Sequence, residues 1–266
     1  MPHDIIGAMK EADKSKESEK EQNTQISTKK KHASLEDVQR KHELPLGFFA
    51  LIYAMFLIFV MINSAVGYFI ALKSEGWAFF CMFTYQTNFF IMLWLLCFGI
   101  TRFKWTHSRF SHFVTNRNLM TALTIYITLT FFIVALVLDP LYKNRFNPVE
   151  QSGFFTHNLT PVIMWLYFFL VPGHGKIRYR NIPYILIYPA AYLILSIIIG
   201  ASITMTQGQF AGQSAYAYGF IDYNTYPHVA VFVTVLMLIG AALAGLCFLL
   251  MRFKKFLIKH YYEYED

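Results

Sequence analysis

The chain has 266 residues, of which 56% are hydrophobic and 15% are charged, whereas an ordinary soluble domain carries about 25% charged residues. Together with a mean hydropathy of +0.39, this composition excludes a soluble globular domain and predicts a polytopic membrane protein. The net charge of +7 lies in the loops between apolar segments, a distribution that orients membrane proteins and does not indicate a nucleic-acid partner.

The N-terminal segment differs from the rest of the chain. Residues 1–43 contain nine Lys or Arg and nine Asp or Glu, so their charges cancel. A segment this rich in Lys, Glu, Ser and Gln cannot bury enough apolar surface to offset its ordering entropy. We predict a disordered cytoplasmic tail, in which Lys29-Lys30-Lys31 is either a solvated charge run or a contact to anionic lipid headgroups.

Six apolar segments follow, each close to the ~20 residues that a hydrocarbon core requires. They lie near 47–72, 79–101, 118–138, 155–172, 183–203 and 227–251. The sequence thus predicts an all-α domain of six transmembrane helices over 44–253, followed by a short cytoplasmic tail, 254–266. The three cysteines, Cys81, Cys97 and Cys247, all lie inside apolar segments and show no metal-ligand or disulfide spacing.

The basic residues are distributed unevenly between the loops. Twenty of the 23 Lys and Arg residues lie in the tail, in 102–117, in 173–182 and after residue 251. The alternate loops hold only Lys73, Lys143 and Arg145. Because loops rich in Lys and Arg stay in the cytoplasm, we predict a cell-membrane protein with both termini cytoplasmic and the second and fourth spans starting on the outer side.

Two polar hexads, 83–88 and 156–161, lie at the start of the second and fourth spans. Thr84 and His157 within them both fall roughly 5–10 Å from the outer boundary at 1.5 Å per residue. A hydroxyl and an imidazole at the same depth are candidates for a nucleophile and its general base. As an alternative, His157 is an interfacial histidine bonded to a carbonyl, and Thr84 only joins helices.

Two further polar residues of the second span are candidates for the same site. Asn88 shares a helix face with Thr84, and such pairs commonly form hydrogen bonds between membrane helices. Thr87 lies about 60° around the helix from Thr84 and is therefore a rival nucleophile. Both residues are candidate contacts for a substrate.

The outer side also carries Asp139, Asp222 and His228. Asp139-Pro140 is more typical of a helix end than of a catalytic group. The loop from Thr204 to Thr225, rich in Gly, Gln, Ser and Tyr, is long for a connector and is either a lid over the outer ends of the helices or a flexible exposed loop. We find no metal-ligand spacing, phosphate-binding glycine loop or nucleotide fingerprint, so no cofactor is expected.

Several motifs together resemble one family. They are Phe83-Thr84, His157 four residues before Pro161, the Tyr188-Pro189-Ala190-Ala191-Tyr192 stretch with Gly200, and Tyr218-Gly219-Phe220-Ile221-Asp222. Occurring in this order over roughly 45–252, they resemble the six-pass family of androgen-induced and androgen-dependent membrane proteins and its bacterial relatives. Eukaryotic members of that family hydrolyse fatty acid esters of hydroxy fatty acids with an intramembrane Thr and His.

The resemblance implies that Thr84 is the nucleophile, that His157 is the general base and that Asp222 is the family's acidic residue. In the expected reaction His157 removes the proton of Thr84, the alkoxide attacks the carbonyl of a long-chain ester, and water completes the cycle. Asp222 or Asp139 would orient the imidazole, and the Asn88 amide or a backbone N–H would stabilise the oxyanion.

The alternative is a membrane bundle without catalysis, acting as a passive carrier of small solutes or lipids or as a scaffold. A proton-coupled transporter usually needs an ionisable group deep in the bilayer. In this chain the ionisable residues outside the basic loops gather at the outer edge, which disfavours coupled transport and leaves a passive carrier or a scaffold open.

Overall fold

The computed structural model describes residues 44–67, 70, 81–103, 108–135, 154–207, 216, 218 and 221–262, and these ranges are predominantly helical. Long apolar runs favour helices in a membrane because a helix satisfies its own backbone hydrogen bonds, and we number the helices in chain order. Within the described residues the α-helices are α1 (Leu44–Gly67), α2 (Phe83–Phe103), α3 (Arg109–Val114), α4 (Arg117–Ile133), α5 (Thr160–Leu170), α6 (Ile182–Gln207) and α7 (Val229–Leu257).

Four helical segments are long and apolar enough to cross a membrane: Leu44–Gly67, Phe83–Phe103, Tyr179–Ser202 and Val229–His260. They correspond to the first, second, fifth and sixth predicted spans, and they are compatible with an integral membrane protein. The third and fourth predicted spans coincide with the shorter α4 and with α5 and the π turn before it. Part of the third predicted span, 136–138, lies outside the described residues.

Helix α4 occupies the centre of the bundle and packs against α2, α5 and α7. Its buried face carries threonines whose hydroxyls donate to carbonyls of their own helix, as Thr124 Oγ1 does to Met120 O at 2.7 Å. Thr128 also accepts a hydrogen bond from Trp165 Nε1 of α5 at 2.8 Å. Because these hydroxyls donate within their own helix, α4 can bury several threonines in an apolar environment.

A proline inside α6 is compensated by a side chain of α4. Pro189 has no N–H, so the carbonyl of Ile185, four residues earlier, loses its helical donor. The hydroxyl of Tyr126 donates to that carbonyl at 2.7 Å. This hydrogen bond joins α4 to α6 at the carbonyl that the proline leaves without a donor.

The end of α5 shows the same compensation from α7. Pro172 offers no N–H to the carbonyl of Phe168, and the ammonium of Lys254 donates to this carbonyl and, at 2.6 Å, to that of Val171. Lys254 is completely buried. The sequence places Lys254 in the terminal tail, beyond the sixth span, but α7 continues to Leu257 and carries this side chain into the bundle.

Helices α1 and α2 cross closely at two glycines. A Cβ added to Gly99 would lie 2.5 Å from Leu51 Cγ and 2.9 Å from the carbonyl oxygen of Gly47, both below normal contact distance. The absence of a side chain on Gly99 is therefore a condition for this crossing.

We expect Gly99→Ala to lower the melting temperature of the purified protein, because overpacking costs about 1–3 kcal/mol. Gly240→Ala is the matched control, since nothing lies within 4 Å of a Cβ at that position of α7. Thermal unfolding in detergent measures both. Equal melting temperatures for the two variants would show that α1 and α2 accommodate the added methyl group at Gly99 without loss of stability.

Candidate functional site

His157 lies in a π turn, Phe155–Leu159, that leads into α5. Pro161 has no N–H to give to the carbonyl of His157, four residues earlier, so an ordinary α-helical bond is impossible there. The N–H of Thr160 instead reaches the carbonyl of Phe155, five residues back. Such π turns occur frequently at functional sites. The sequence signal that could have predicted this turn is Pro161.

Thr160 also ties this turn to α1. Its Oγ1 donates to the carbonyl of Phe155 at 2.9 Å and lies 3.0 Å from the hydroxyl of Tyr53. The rings of Phe56 and Phe155 pack edge to face, with centroids 5.1 Å apart. The position of His157 is therefore fixed from the α1 side.

Asn88 connects α2 to the turn that carries His157. Its Nδ2 donates to the carbonyl of Thr84 at 2.8 Å and to the carbonyl of Thr156 at 3.1 Å. Asn88 and Thr156 are both completely buried. One amide thus joins the turn of Thr84 to the residue before His157, and the starts of the second and fourth predicted spans are neighbours.

The bonding of Asn88 bears on its expected role as an oxyanion donor. Both of its N–H groups point at backbone carbonyls, so an oxyanion would have to replace one of them. Asn88 Oδ1 is buried and has no hydrogen-bond partner among the described residues. In this arrangement the amide donates twice and accepts from none of the described residues.

Thr84 lies in the first turn of α2 and is 5% exposed. Its Oγ1 and its backbone N are each 3.4 Å from the hydroxyl of Tyr218. The N–H of Phe83 donates to the hydroxyl of Tyr192 at 3.1 Å, and this hydroxyl in turn donates to the carbonyl of Cys81. Two tyrosine hydroxyls therefore satisfy amides that a helix start leaves without internal acceptors. Both tyrosines belong to the motifs that resemble the androgen-induced family, and the sequence alone assigns neither of them a role.

Thr87 faces a different neighbour. Its Oγ1 donates to the carbonyl of Thr84 at 2.9 Å and lies 3.3 Å from Thr130 Oγ1 of α4. With 1% of its surface exposed, Thr87 joins α2 to α4, while Thr84 faces Tyr218. The two candidate nucleophiles therefore have distinct surroundings.

Asp222 lies before α7 and caps the short 3₁₀ turn Tyr223–Thr225. Its Oδ1 accepts hydrogen bonds from the backbone N–H and the side-chain amide of Asn224, at 3.0 and 2.9 Å. These bonds are local, and the orienting role toward His157 stays a prediction. Asp139, the second candidate for that role, lies outside the described residues, and His228 is exposed at the start of α7.

Tyr216 shows how one residue of the loop from Thr204 to Thr225 meets the bundle. Its ring lies against Gly200 of α6, so closely that a Cβ there would be 2.3 Å from Tyr216 Cδ1. Burial raises the pKa of Tyr216 to about 12, and Tyr223 and the carboxylate of Asp222 add to the effect. The region around 208–212, central to the lid hypothesis, lies outside the described residues.

Thr84, Asn88, His157 and Tyr218 together are called the Thr84 site below. Within the described residues, no group of three His, Cys, Asp or Glu side chains is arranged to hold a metal ion. The site offers a hydroxyl, an imidazole and a phenol in a largely buried setting. No protein-family model, curated protein or solved structure matches this chain.

Proposed function

We propose that this protein is a membrane-embedded lipid-ester hydrolase with Thr84 as its nucleophile and His157 as its general base. The observation that carries the proposal is the bridge made by Asn88, which holds the turn of Thr84 against the π turn of His157. The resemblance of the ordered motifs to the androgen-induced family adds support. The substrate class is a long-chain ester that enters from the lipid.

In the proposed reaction His157 accepts the proton of Thr84 Oγ1 while the oxygen attacks the acyl carbonyl. The tetrahedral intermediate collapses, the ester bond breaks, and the leaving alcohol takes the proton from His157. A water molecule, deprotonated by His157, then hydrolyses the acyl-threonine and restores both groups. Asp222 or Asp139 orients the imidazole.

The hydroxyl of Tyr218 has a part in this mechanism as well. Tyr218 lies 3.4 Å from Thr84 Oγ1 and can hold that oxygen in place or donate to the oxyanion, a contribution worth ~3–4 kcal/mol per donor in other enzymes. Hydrolysis of long-chain esters by purified protein, lost in Thr84→Ala, tests the proposal.

A non-enzymatic bundle, a passive carrier or a scaffold, is the second candidate. It is favoured by the way polar side chains near the site already bond between helices, as Asn88 does to Thr156 and Thr87 does with Thr130. On this interpretation Thr84 and His157 only hold helices together. Probe labelling and stability of the same variants separate the two candidates.

We further propose six spans with both termini in the cytoplasm of a cell-membrane protein, because the basic residues are so unevenly distributed. Single cysteines in 143–152 and in 207–216, introduced after the native cysteines are replaced, should react with an impermeant thiol reagent on intact cells. Cysteines in 104–112 should react only after permeabilisation. The reverse pattern would put the Thr84 site on the cytoplasmic side.

A further inference from the structure

Asn88 carries a buried acceptor that the reaction described above does not use. Its side chain is completely buried between α2 and the π turn Phe155–Leu159. Nδ2 donates to the carbonyls of Thr84 and Thr156, at 2.8 and 3.1 Å, while Oδ1 accepts no hydrogen bond from any described residue. A buried acceptor without a donor is destabilising, and native proteins keep few of them unless a functional role or a bound water accounts for them.

The two hydrogen bonds of Nδ2 fix which atom of the amide lacks a partner. If the amide were turned over, Oδ1 would face two carbonyl oxygens, and a carbonyl oxygen cannot donate. Nδ2 therefore has to face the carbonyls of Thr84 and Thr156. Because the remaining group is an acceptor, its partner must be an O–H or N–H donor.

This acceptor lies where the nucleophile and the general base of the proposed reaction are brought together. Thr84, whose carbonyl accepts from Nδ2, supplies the nucleophile. Thr156, whose carbonyl accepts from the same Nδ2, directly precedes His157 in the chain. Oδ1 and Nδ2 are bonded to one carbon atom, so Oδ1 lies in the same gap between α2 and the turn of His157.

The chemistry of the reactants identifies the donor. An oxyanion and an ester carbonyl only accept hydrogen bonds, so neither satisfies Oδ1. The leaving alcohol takes its one O–H proton from His157. Water carries two O–H donors, and the hydrolysis of an acyl-threonine requires one water molecule beside Thr84.

We propose that Asn88 is a positioning residue whose Oδ1 holds the water molecule that hydrolyses the acyl-threonine. This role rests on the proposed function of the Thr84 site. One O–H of the water donates to Asn88 Oδ1 and the other to the ring of His157, which directs the water oxygen at the acyl carbon. Since Thr84 and Asn88 are buried, the movement that admits an ester has to admit this water as well.

The hydrolytic step balances in atoms and protons. His157 removes one proton of the water while the water oxygen forms a bond to the acyl carbon. The bond between that carbon and Thr84 Oγ1 then breaks, the fatty acid is released with the other proton of the water, and the proton on His157 returns to Thr84 Oγ1. Asn88 neither gains nor loses a proton.

The test separates the two halves of the reaction. The purified full-length protein is given 4-nitrophenyl palmitate, so that nitrophenol reports acylation and intact mass spectrometry reports palmitoyl-protein. Hydroxylamine is added as a second nucleophile, which converts the acyl-threonine to a hydroxamate without a positioned water. In Asn88→Leu, palmitoyl-protein should accumulate, and the ratio of hydroxamate to palmitic acid should rise about tenfold, as expected for the loss of one hydrogen bond to the water.

Asn88→Thr is a second variant that serves if Asn88→Leu does not fold. A threonine hydroxyl in a membrane helix can donate to the carbonyl four residues earlier, as Thr124 does to Met120. Asn88→Thr therefore keeps a donor for the carbonyl of Thr84 but has no oxygen at the position of Oδ1. Its ratio of hydroxamate to palmitic acid should rise as that of Asn88→Leu does.

The matched control is Thr160→Val. Thr160 is also completely buried and supports the turn of His157 from the α1 side, through the carbonyl of Phe155 and the hydroxyl of Tyr53. Valine keeps the branched shape and removes these hydrogen bonds. The ratio of hydroxamate to palmitic acid should stay that of the wild type, because a looser turn affects acylation and deacylation alike.

Two results would overturn this role of Asn88, and they differ from each other. In the first, the wild type converts the ester to acid and hydroxamate and Thr84→Ala does not, but both Asn88 variants keep the wild-type ratio. The Thr84 site is then catalytic, and Asn88 only joins the helices. In the second, the wild type forms neither palmitoyl-protein, hydroxamate nor acid, and the proposed function fails together with the role of Asn88.

Discussion

Thr84→Ala is expected to abolish labelling of the purified protein by a hydrolase-directed phosphonate probe, and with it the hydrolysis of long-chain esters. Such probes react with an activated hydroxyl rather than with an exposed one. His157→Ala should lose nearly all labelling as well, because members of a catalytic unit fail together and not additively. Labelling stoichiometry and ester turnover are measured on the same samples.

Two threonine variants serve as controls for this prediction. Thr87→Ala should keep most of the labelling, since the Thr87 hydroxyl is bonded to the carbonyl of Thr84 and lies beside Thr130. Thr124→Ala removes a buried hydroxyl of α4 that donates within its own helix, and it should label as the wild type does. Loss of labelling in Thr87→Ala alone would assign the nucleophile to Thr87, about one helical turn after Thr84.

The stability of these variants distinguishes catalysis from helix packing. Truncating an interhelical polar contact in a membrane bundle costs only about 0.6 kcal/mol on average, so Thr84→Ala and His157→Ala should stay folded. A wild type that takes no probe and hydrolyses no ester, together with unstable Thr84→Ala and His157→Ala variants, would support the non-enzymatic bundle.

Lys254→Met is expected to lower the melting temperature by several degrees. The substitution keeps the apolar stem but leaves the carbonyls of Phe168 and Val171 without the donor they have now. A buried polar group without its partner costs about 1–3 kcal/mol, and in a chain of this size each kcal/mol shifts the melting temperature by about 2–4 °C.

The control for Lys254 is Lys259→Met, which changes an exposed lysine in the π turn after α7 and should leave the melting temperature nearly unchanged. Equal melting temperatures for the wild type and Lys254→Met would mean that the cost of burying the ammonium cancels its two hydrogen bonds. The pairing of Pro172 with Lys254 would then be without consequence for stability.

The sequence by itself determined the helical class and the positions of the long apolar helices. A run of some twenty apolar residues has few ways to satisfy its backbone in lipid other than a helix. The span predicted from 227 to 251 corresponds to α7, and the one from 79 to 101 to α2. The shared helix face of Thr84 and Asn88 also follows from local periodicity.

The tertiary structure decided which elements meet. Sequence periodicity carries no information on which helices are neighbours, so the contact of Asn88 with Thr156 and that of Thr84 with Tyr218 required the packed bundle. From the sequence, Lys254 is only one of the four basic residues that follow the sixth predicted span. Only the fold brings it against the carbonyl that Pro172 leaves without a donor, because a missing N–H is a local property and its replacement comes from a residue distant in the chain.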